Sequence, residues 1–211
     1  FLHMTNTNIV PMLSFGTILL DHEWRDQGAY AAKDFHERLH LDDDTSLLLA
    51  QSTGFQSGCI GVIHDLLRGP ERDRLVRSGV GVGLTHEMKF PLYWEPLGRA
   101  IAEHLSNFGY GLPDCRVFRY WDASPAVKTS GAAAKTLALG RSGRALIVVA
   151  SYGPAGEVTL DLDRAALGLA GELSGVNVET GAAIKRTGPG SFKLPLGRHD
   201  FCIVKIGPAE Q

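Results

Sequence analysis

Short apolar runs alternate with helical patterns along the first half of the chain, and this alternation predicts a parallel sheet. Continuous apolar runs are typical of strands that are buried on both faces. Such strands are predicted at residues 8–15, continuing through 17–24, and at 46–50 and 79–84. Helices are predicted at residues 29–40, 58–67, 70–77 and 96–108. The order β-α-β-α-β-α indicates right-handed crossovers between parallel strands.

The pattern changes from about Cys115 onward. Short segments, several of them alternating in polarity, are separated by Gly- and Pro-rich turns, which is typical of an antiparallel β-sandwich. Strands are predicted at residues 117–121, 134–139, 145–151, 158–162, 191–196 and 200–206, with 122–135 as a linker or first crossover. The predicted fold is therefore α/β plus all-β: the last βα units of a (β/α)8 TIM barrel at residues 1–114, then a β-sandwich at 115–211.

Polar residues gather where the predicted strands of the first half end. In parallel α/β folds, ligands bind at the carboxyl ends of the strands. Amide, imidazole and aromatic side chains suit sugar recognition, because hydroxyl groups need donors and acceptors and sugar rings pack on apolar faces. The predicted substrate-binding residues are His86, His22, Trp24, Asn6, Gln51 and Gln56.

Three carboxylates near these strand ends are candidates for catalysis. Hydrolysis of a glycosidic bond usually needs one carboxyl group as acid and another as nucleophile or base. Asp21 and Glu23 follow the first apolar run, and Glu87 follows the run GVGVGL in the triplet Thr85-His86-Glu87. The predicted catalytic residues are therefore Glu87, Glu23 and Asp21. A solvated loop or strand end is the alternative interpretation of each.

Composition and charge narrow the function classes. The 211 residues are 44% hydrophobic and 21% charged, as in an ordinary globular protein. The formal net charge of −2 indicates no nucleic-acid partner, and no apolar run is long enough to predict a membrane span. Cys59, Cys115 and Cys202 fit neither a disulfide framework nor a metal knuckle and are expected to be small buried hydrophobes.

No cofactor or metal is expected. Neither His22 nor His86 lies in an HExxH motif, although each is followed by a glutamate. A metal-dependent hydrolase that uses His22, Glu23 and His86 is nevertheless a third possibility.

The C-terminal stretch VFRYWDASPAVKTS…GRALIVVASYGPAGEVTLDLDRAALGLAGELSGVNVETGAAIKR…SFKLPLGRHDFCIVKI resembles the β-sandwich that closes many barrel glycosidases. The shared order is a strand, the segment VTLDLDRAALGL, the turn VETG and a final strand. With HMTNTNIVPMLSFGTILLDHEW ahead of it, the whole chain resembles the last part of a large glycosidase in the group near glycoside hydrolase family 123. The resemblance implies a hydrolase of carbohydrate metabolism whose sandwich packs beside a catalytic barrel.

One departure from that family bears on the site. Family 123 enzymes resemble the substrate-assisted type, with an adjacent Asp-Glu pair, and no Asp-Glu dipeptide occurs in this sequence. The main catalytic pair is therefore expected upstream or on another chain. Asp21, Glu23, His86 and Glu87 would then line the sugar subsites.

Three βα units cannot close a barrel of eight, so further strands are expected from an upstream segment or a second chain. The sequence starts at Phe1 without an initiator Met, which favours a fragment or one subunit of an oligomer. The leading hypothesis is a glycoside hydrolase that cleaves an oligo- or polysaccharide by carboxylate acid/base catalysis. The alternative is a non-catalytic carbohydrate-binding or structural subunit that completes a partner chain's barrel.

Overall fold

The computed structural model describes residues 2–3, 18–25, 34, 36–37, 60–66, 72–88 and 96–209. The chain divides into two compact units, Phe1–Gly98 and Arg99–Gln211, and each is described by itself. The division into domains after residue 114 stays a prediction. None of the helices in the described ranges is long and apolar enough to cross a membrane.

The described part of the first unit contains a three-stranded parallel sheet. Its strands are β1 (Leu2–His3), β2 (Ile18–Arg25) and β3 (Ile60–Leu66). They are arranged in the order β1-β2-β3, and both pairings are parallel. Consecutive parallel neighbours are the arrangement that βα units produce, so the α/β expectation for this half is confirmed in part. Closure into a barrel stays a prediction.

A helix, α1 (Arg72–Thr85), follows β3 and contacts it. The predicted strand at residues 79–84 is wrong, because these residues form the second half of α1. Val80 and Val82 are almost fully buried, and Gly79, Gly81 and Gly83 around them are buried too. A short run of small apolar residues fits a buried helix as well as a buried strand. Burial outweighs the cost of glycine in a helix, about 1 kcal/mol for each residue relative to alanine.

The prediction for residues 58–67 is wrong in the opposite sense. The expected helix is strand β3, whose residues pair with β2 along most of its length. Its sequence, IGVIHDL, is rich in β-branched residues, which favour strands. The two glycines of this segment, Gly58 and Gly61, do not distinguish a helix from a strand.

Part of the predicted helix at residues 29–40 is described, and it shows how a helix begins. The backbone N–H of Glu37 donates to Asp34 Oδ1 at 3.0 Å, and the N–H of Asp34 donates to Glu37 Oε2 at 2.9 Å. These reciprocal bonds form a capping box, with Asp34 in the N-cap position. Asp34 is buried and lies 3.7 Å from Arg74 Nη1 of α1, so the cap is also tied to the next helix.

The predicted helix at residues 96–108 is confirmed as α2 (Leu97–Phe108). It ends at Gly109, which has a φ of +101°. The N–H of Tyr110 donates to the carbonyl of Leu105 at 2.9 Å, which closes the last turn. The Arg141 guanidinium reaches this end of the helix and donates to the carbonyl of Phe108 at 3.2 Å.

The rest of the second unit is an antiparallel β-sandwich with one short helix, α3 (Arg164–Leu167). The four-stranded sheet has the order β10-β11-β8-β5, and the five-stranded sheet has the order β4-β6-β7-β12-β9. The strands are β4 (Arg116–Arg119), β5 (Val127–Gly131), β6 (Ala134–Arg141), β7 (Arg144–Ser151), β8 (Gly156–Leu162), β9 (Leu173–Asn177), β10 (Lys185–Gly188), β11 (Ser191–Leu196) and β12 (Phe201–Pro208).

The core of the sandwich lies between these two sheets. It combines Val158, Leu160 and Phe192 of the four-stranded sheet with Ile147 and Val204 of the five-stranded sheet, all of them almost inaccessible to solvent. The predicted β-sandwich is confirmed, and each of its predicted strands is present. Three further strands, β5, β9 and β10, were not predicted. The interpretation of residues 122–135 as a linker is wrong where β5 occupies it.

The two described cysteines differ in environment. Cys202 is buried in the sandwich core, as expected for a small hydrophobe. Cys115 is half-buried, and burial raises the pKa of its thiol. Cys59 lies outside the described residues.

Candidate functional site

Four of the predicted site residues lie inside strand β2, not after it. His22, Glu23 and Trp24 lie in its carboxyl half, and Asp21 precedes them as the fourth of its eight residues. The parallel register sets Asp21 opposite Ile63 and Trp24 opposite Asp65 of β3, with an irregularity between the two pairs. Three of the four residues therefore lie in the carboxyl half of a parallel strand, toward the edge where α/β folds bind ligands.

Strand β3 adds two polar residues that the sequence analysis missed. His64 and Asp65 lie in its carboxyl half, and Asp65 is the register partner of Trp24. They were overlooked because residues 58–67 were predicted to be a helix, in which they would not have lain beside β2. The β-branched residues of IGVI favour a strand, and they were the signal that could have placed His64 and Asp65 beside β2.

The triplet Thr85-His86-Glu87 lies at the end of a helix. Thr85 Oγ1 donates to the carbonyl of Val82 at 2.9 Å. His86 is fully buried, and its Nδ1 lies 2.8 Å from the same carbonyl oxygen, so that Nδ1 carries the proton. The hydroxyl and the imidazole thus add to the backbone bond that the N–H of His86 donates to this carbonyl at 3.2 Å, and they reinforce the last turn of α1.

Glu87 ends α1 in a left-handed conformation, with a φ of +57°. The N–H of Met88 donates to the carbonyl of Gly83 at 2.9 Å, and the N–H of Glu87 to that of Leu84 at 3.3 Å. This pair of bonds is a Schellman motif, in which glycine is the usual residue at the position of Glu87.

The position of Glu87 in the βα unit bears on its predicted role. Helix α1 begins a few residues after β3 ends and contacts that strand. Its 14 residues span roughly 20 Å, so its final turn lies far from its start. In a βα unit this final turn is at the amino edge of the sheet, away from the ligand-binding edge. The strand-end reason for choosing Glu87 and His86 is therefore wrong, and their roles stay predictions.

The remaining predicted residues, Asn6, Gln51 and Gln56, lie outside the described residues. Within the described ranges, no group of three or more His, Cys, Asp and Glu side chains is placed to hold a metal ion.

The second unit contains two adjoining cavities on the five-stranded sheet, of about 610 and 630 Å³. Both are lined by Arg144, Val176 and Lys205. These two cavities lie on the sandwich, and none of the predicted site residues lines them. None of the lining residues was predicted from the sequence, because the strand register that brings them together was unknown.

No protein-family model matches the chain, and no curated protein matches its sequence significantly. Membership of the group near family 123 therefore stays a prediction.

Several solved glycoside hydrolase structures are similar to the chain. A GH27 β-L-arabinopyranosidase from Geobacillus stearothermophilus is 11% identical with a TM-score of 0.48, and the match covers 92% of this chain and 51% of that one. A maltogenic α-amylase from Thermotoga neapolitana is 13% identical with a TM-score of 0.48, covering 96% and 54%. A family 30 subfamily 8 xylanase from Clostridium acetobutylicum is 13% identical with a TM-score of 0.47, covering 94% and 52%.

The chain spans about half the length of these structures. At such identities and TM-scores, the similarity does not by itself determine an activity.

Proposed function

We propose that this chain is part of a glycoside hydrolase that cleaves an oligo- or polysaccharide by carboxylate acid/base catalysis. The observation that carries the proposal is the parallel register of β2 with β3. It sets Asp21 at the middle of β2, and Glu23 and Asp65 in the carboxyl halves of the neighbouring strands β2 and β3. Sequence resemblance to the sandwich of barrel glycosidases supports the same function from the other half of the chain.

The spacing of these strands suits the reaction. Neighbouring strands of a sheet lie about 4.8 Å apart. Two carboxyl groups that flank a glycosidic bond are about 5–5.5 Å apart in retaining enzymes and about 6.5–9.5 Å apart in inverting ones. The backbone spacing of two adjacent strands is therefore of the same order as the carboxyl separation in retaining enzymes.

The roles follow from the chemistry of glycoside hydrolysis. One carboxyl group donates a proton to the glycosidic oxygen while the other, ionised, attacks the anomeric carbon or removes a proton from the attacking water. We assign this work to the set Asp21, Glu23 and Asp65. His22, Trp24 and His64 are proposed to contact sugar hydroxyls and ring faces from strand positions that alternate with those of the carboxylates.

A second candidate function is a non-catalytic subunit that binds carbohydrate or completes the barrel of a partner chain. The observation that favours it is the small number of parallel strands, three in the described part of the chain against eight in a closed barrel. Under this alternative the catalytic pair lies on the partner, and the β2 residues only line its subsites.

Substitution of the carboxylates in the complete, natively purified protein tests the proposal. Turnover of a panel of aryl glycosides is measured for Asp21→Asn, Glu23→Gln and Asp65→Asn. Loss of a general acid or base is expected to lower kcat by about 10²–10⁴-fold for at least two of the three variants. Thermal unfolding of each variant shows whether the fold is retained.

Glu87→Gln is the matched control, because Glu87 lies at the helix end and not at the carboxyl edge of the sheet. Its turnover is expected to stay within about twofold of the unaltered protein. A large loss in Glu87→Gln together with unchanged β2 and β3 variants would overturn this assignment and restore Glu87 as the catalytic candidate. Unchanged turnover in every variant would favour the non-catalytic subunit.

A further inference from the structure

The two adjoining cavities of the second unit lie on the outer face of the five-stranded sheet. Ala145 and Ile147 of β7 belong to the sandwich core, and so do Val204 and Ile206 of β12. Successive residues of a strand point to opposite faces, so the residues between them face away from the core. The floor of the cavities is made from these outward positions, which include Leu146 and Lys205. We call the two cavities together the basic groove.

The strand register places the two cations of the basic groove in neighbouring rows. Lys205 pairs with Leu146 of β7 on one side and with Val176 of β9 on the other. Gly207 pairs with Ser174 in the next outward row, and a Cβ atom on Gly207 would lie 3.4 Å from Arg144 Cγ. The stem of Arg144 therefore lies against β12 at Gly207, two residues along the strand from Lys205.

The side chains that line the groove carry a net positive charge. Arg144 and Lys205 are exposed, and none of the described residues that line either cavity is Asp or Glu. Arg141 also lines the groove, but its Nε donates to Asp114 Oδ2 at 2.8 Å, which compensates its charge. Two neighbouring cations without a lining carboxylate create a positive potential that attracts an anionic ligand.

The walls of the groove are held by hydrogen bonds. On one side, Arg141 links the end of α2 to β6 through its bonds to Asp114 and to the carbonyl of Phe108. On the other side, Asn177 Oδ1 accepts the N–H of Glu179 at 2.9 Å, which fixes the turn after β9. The Asn177 amino group then remains as a donor toward the groove that this residue lines.

We propose that the basic groove binds the acidic groups of a saccharide, such as the carboxylates of a uronate oligosaccharide, as a subsite on the sandwich of the second unit. Arg144 and Lys205 pair with the carboxylates. The hydroxyls of Ser142 and Ser174 and the amide of Asn177 suit sugar hydroxyls, while Leu146 and Val176 offer an apolar floor to the ring. The saccharide nature of the ligand rests on the proposed function, whereas its negative charge rests on the groove alone.

Chemical-shift titration of the full chain tests this proposal. The probe is a tetrasaccharide of galacturonate, and the neutral tetrasaccharide of galactose and sodium acetate are run in parallel. The galacturonate probe is expected to shift the amides of residues 144, 176 and 205, to bind at least about tenfold more tightly than the neutral probe, and to weaken between about 50 and 500 mM salt.

Two variants locate the binding. Arg144→Gln and Lys205→Gln are expected to weaken binding of the galacturonate probe roughly three- to tenfold each, since both cations are exposed and partly screened by solvent. Lys128→Gln and Lys185→Gln remove equivalent exposed charges from the four-stranded sheet and are expected to leave binding unchanged. Equal losses in the two pairs would overturn the proposal, because they would reflect overall charge.

The other outcomes are equally decisive. Equal affinity for the neutral and the acidic tetrasaccharide, or for acetate and galacturonate at equal carboxylate concentration, would contradict a subsite for acidic sugars. No shift at residues 144, 176 and 205 at millimolar probe would do the same. Binding is measured by chemical shifts and not by turnover. Galacturonate binding without any glycosidase activity would therefore contradict the proposed function but support the assignment of the groove.

Discussion

At the scale of single residues, the polar triplet at the end of α1 is explained by helix termination. Thr85 and His86 both satisfy the carbonyl of Val82, and Glu87 takes the left-handed position that closes the helix. A polar triplet after an apolar run indicated a boundary of an element, but the sequence did not show that the element is a helix. Schellman motifs usually place glycine where Glu87 stands, so the sequence lacked the signal that marks a helix end.

The strain at Glu87 predicts an unusual stability difference between two truncations. Glu87→Gly and Glu87→Ala both remove the carboxylate and its contacts, but only glycine adopts a φ of +57° without steric cost. We expect Glu87→Gly to exceed Glu87→Ala in free energy of unfolding by about 1 kcal/mol. Urea unfolding of the two variants measures the difference. Equal stability, or a more stable alanine variant, would contradict the helix-terminating role.

The pair Arg141–Asp114 predicts a pH effect. The hydrogen bond from Arg141 lowers the pKa of the Asp114 carboxyl below its ordinary value. A lowered pKa means that the pair stabilises the fold above the ordinary pKa of an aspartate and loses this contribution as the pH falls through the lowered value. In Arg141→Gln the pKa of Asp114 is expected to rise toward the ordinary value, as an NMR titration of the carboxyl group would measure. An unchanged pKa would mean that Arg141 is not its main neighbour.

At the scale of secondary-structure elements, success in prediction followed the position of each strand in its sheet. The inner strands β6, β7, β8, β11 and β12 were all predicted, and they carry alternating or continuous apolar residues. Of the four edge strands, β4 alone was predicted. The missed strands β5, β9 and β10 are all at sheet edges. Edge strands bury fewer side chains, so their polar sequences lack the pattern that predicts a strand.

The first unit was harder to predict for a different reason. Residues 58–67 and 79–84 are both short runs of small apolar residues with glycines, and one is a strand while the other is a helix. Periodicity does not distinguish a strand from a helix in a short apolar run. Both errors affected the prediction of the site. The first concealed the position of Asp65 beside β2, and the second placed Glu87 at the end of a strand instead of a helix.

Strand β9 offers a test of the tight contact between the two sheets of the sandwich. A Cβ atom at Gly175 would lie 2.7 Å from Ile206 Cδ1 and 3.3 Å from the Phe192 ring. Both neighbours are fully buried, so Gly175→Ala is expected to lower the free energy of unfolding by about 1–3 kcal/mol.

Gly98→Ala is the matched control for this variant. No atom lies within 4 Å of its added Cβ atom, and Gly98 is in α2. Alanine there is expected to stabilise the protein by about 0.5–1 kcal/mol. Denaturant unfolding of both variants checks the pair, and a neutral Gly175→Ala would show that the sheets can separate at this point.

At the scale of the whole molecule, the described part of the second unit forms an entire sandwich, whereas that of the first unit forms only a small parallel sheet. The sandwich has two sheets that bury a shared core between them. The parallel sheet of the first unit has three described strands, fewer than the eight of a closed barrel. If β2 and β3 carry the proposed carboxylates, other strands must complete the pocket around the sugar. We therefore expect that this chain acts together with further βα units.

The mass and subunit composition of the natively purified protein test this central claim most directly. Native mass spectrometry is expected to show a species heavier than 22.8 kDa that contains additional βα sequence, either as a longer polypeptide or as a second subunit. That sequence should supply the remaining parallel strands next to β1 and β3. A monodisperse 22.8 kDa monomer that hydrolyses no glycoside would contradict the barrel and the glycosidase function together.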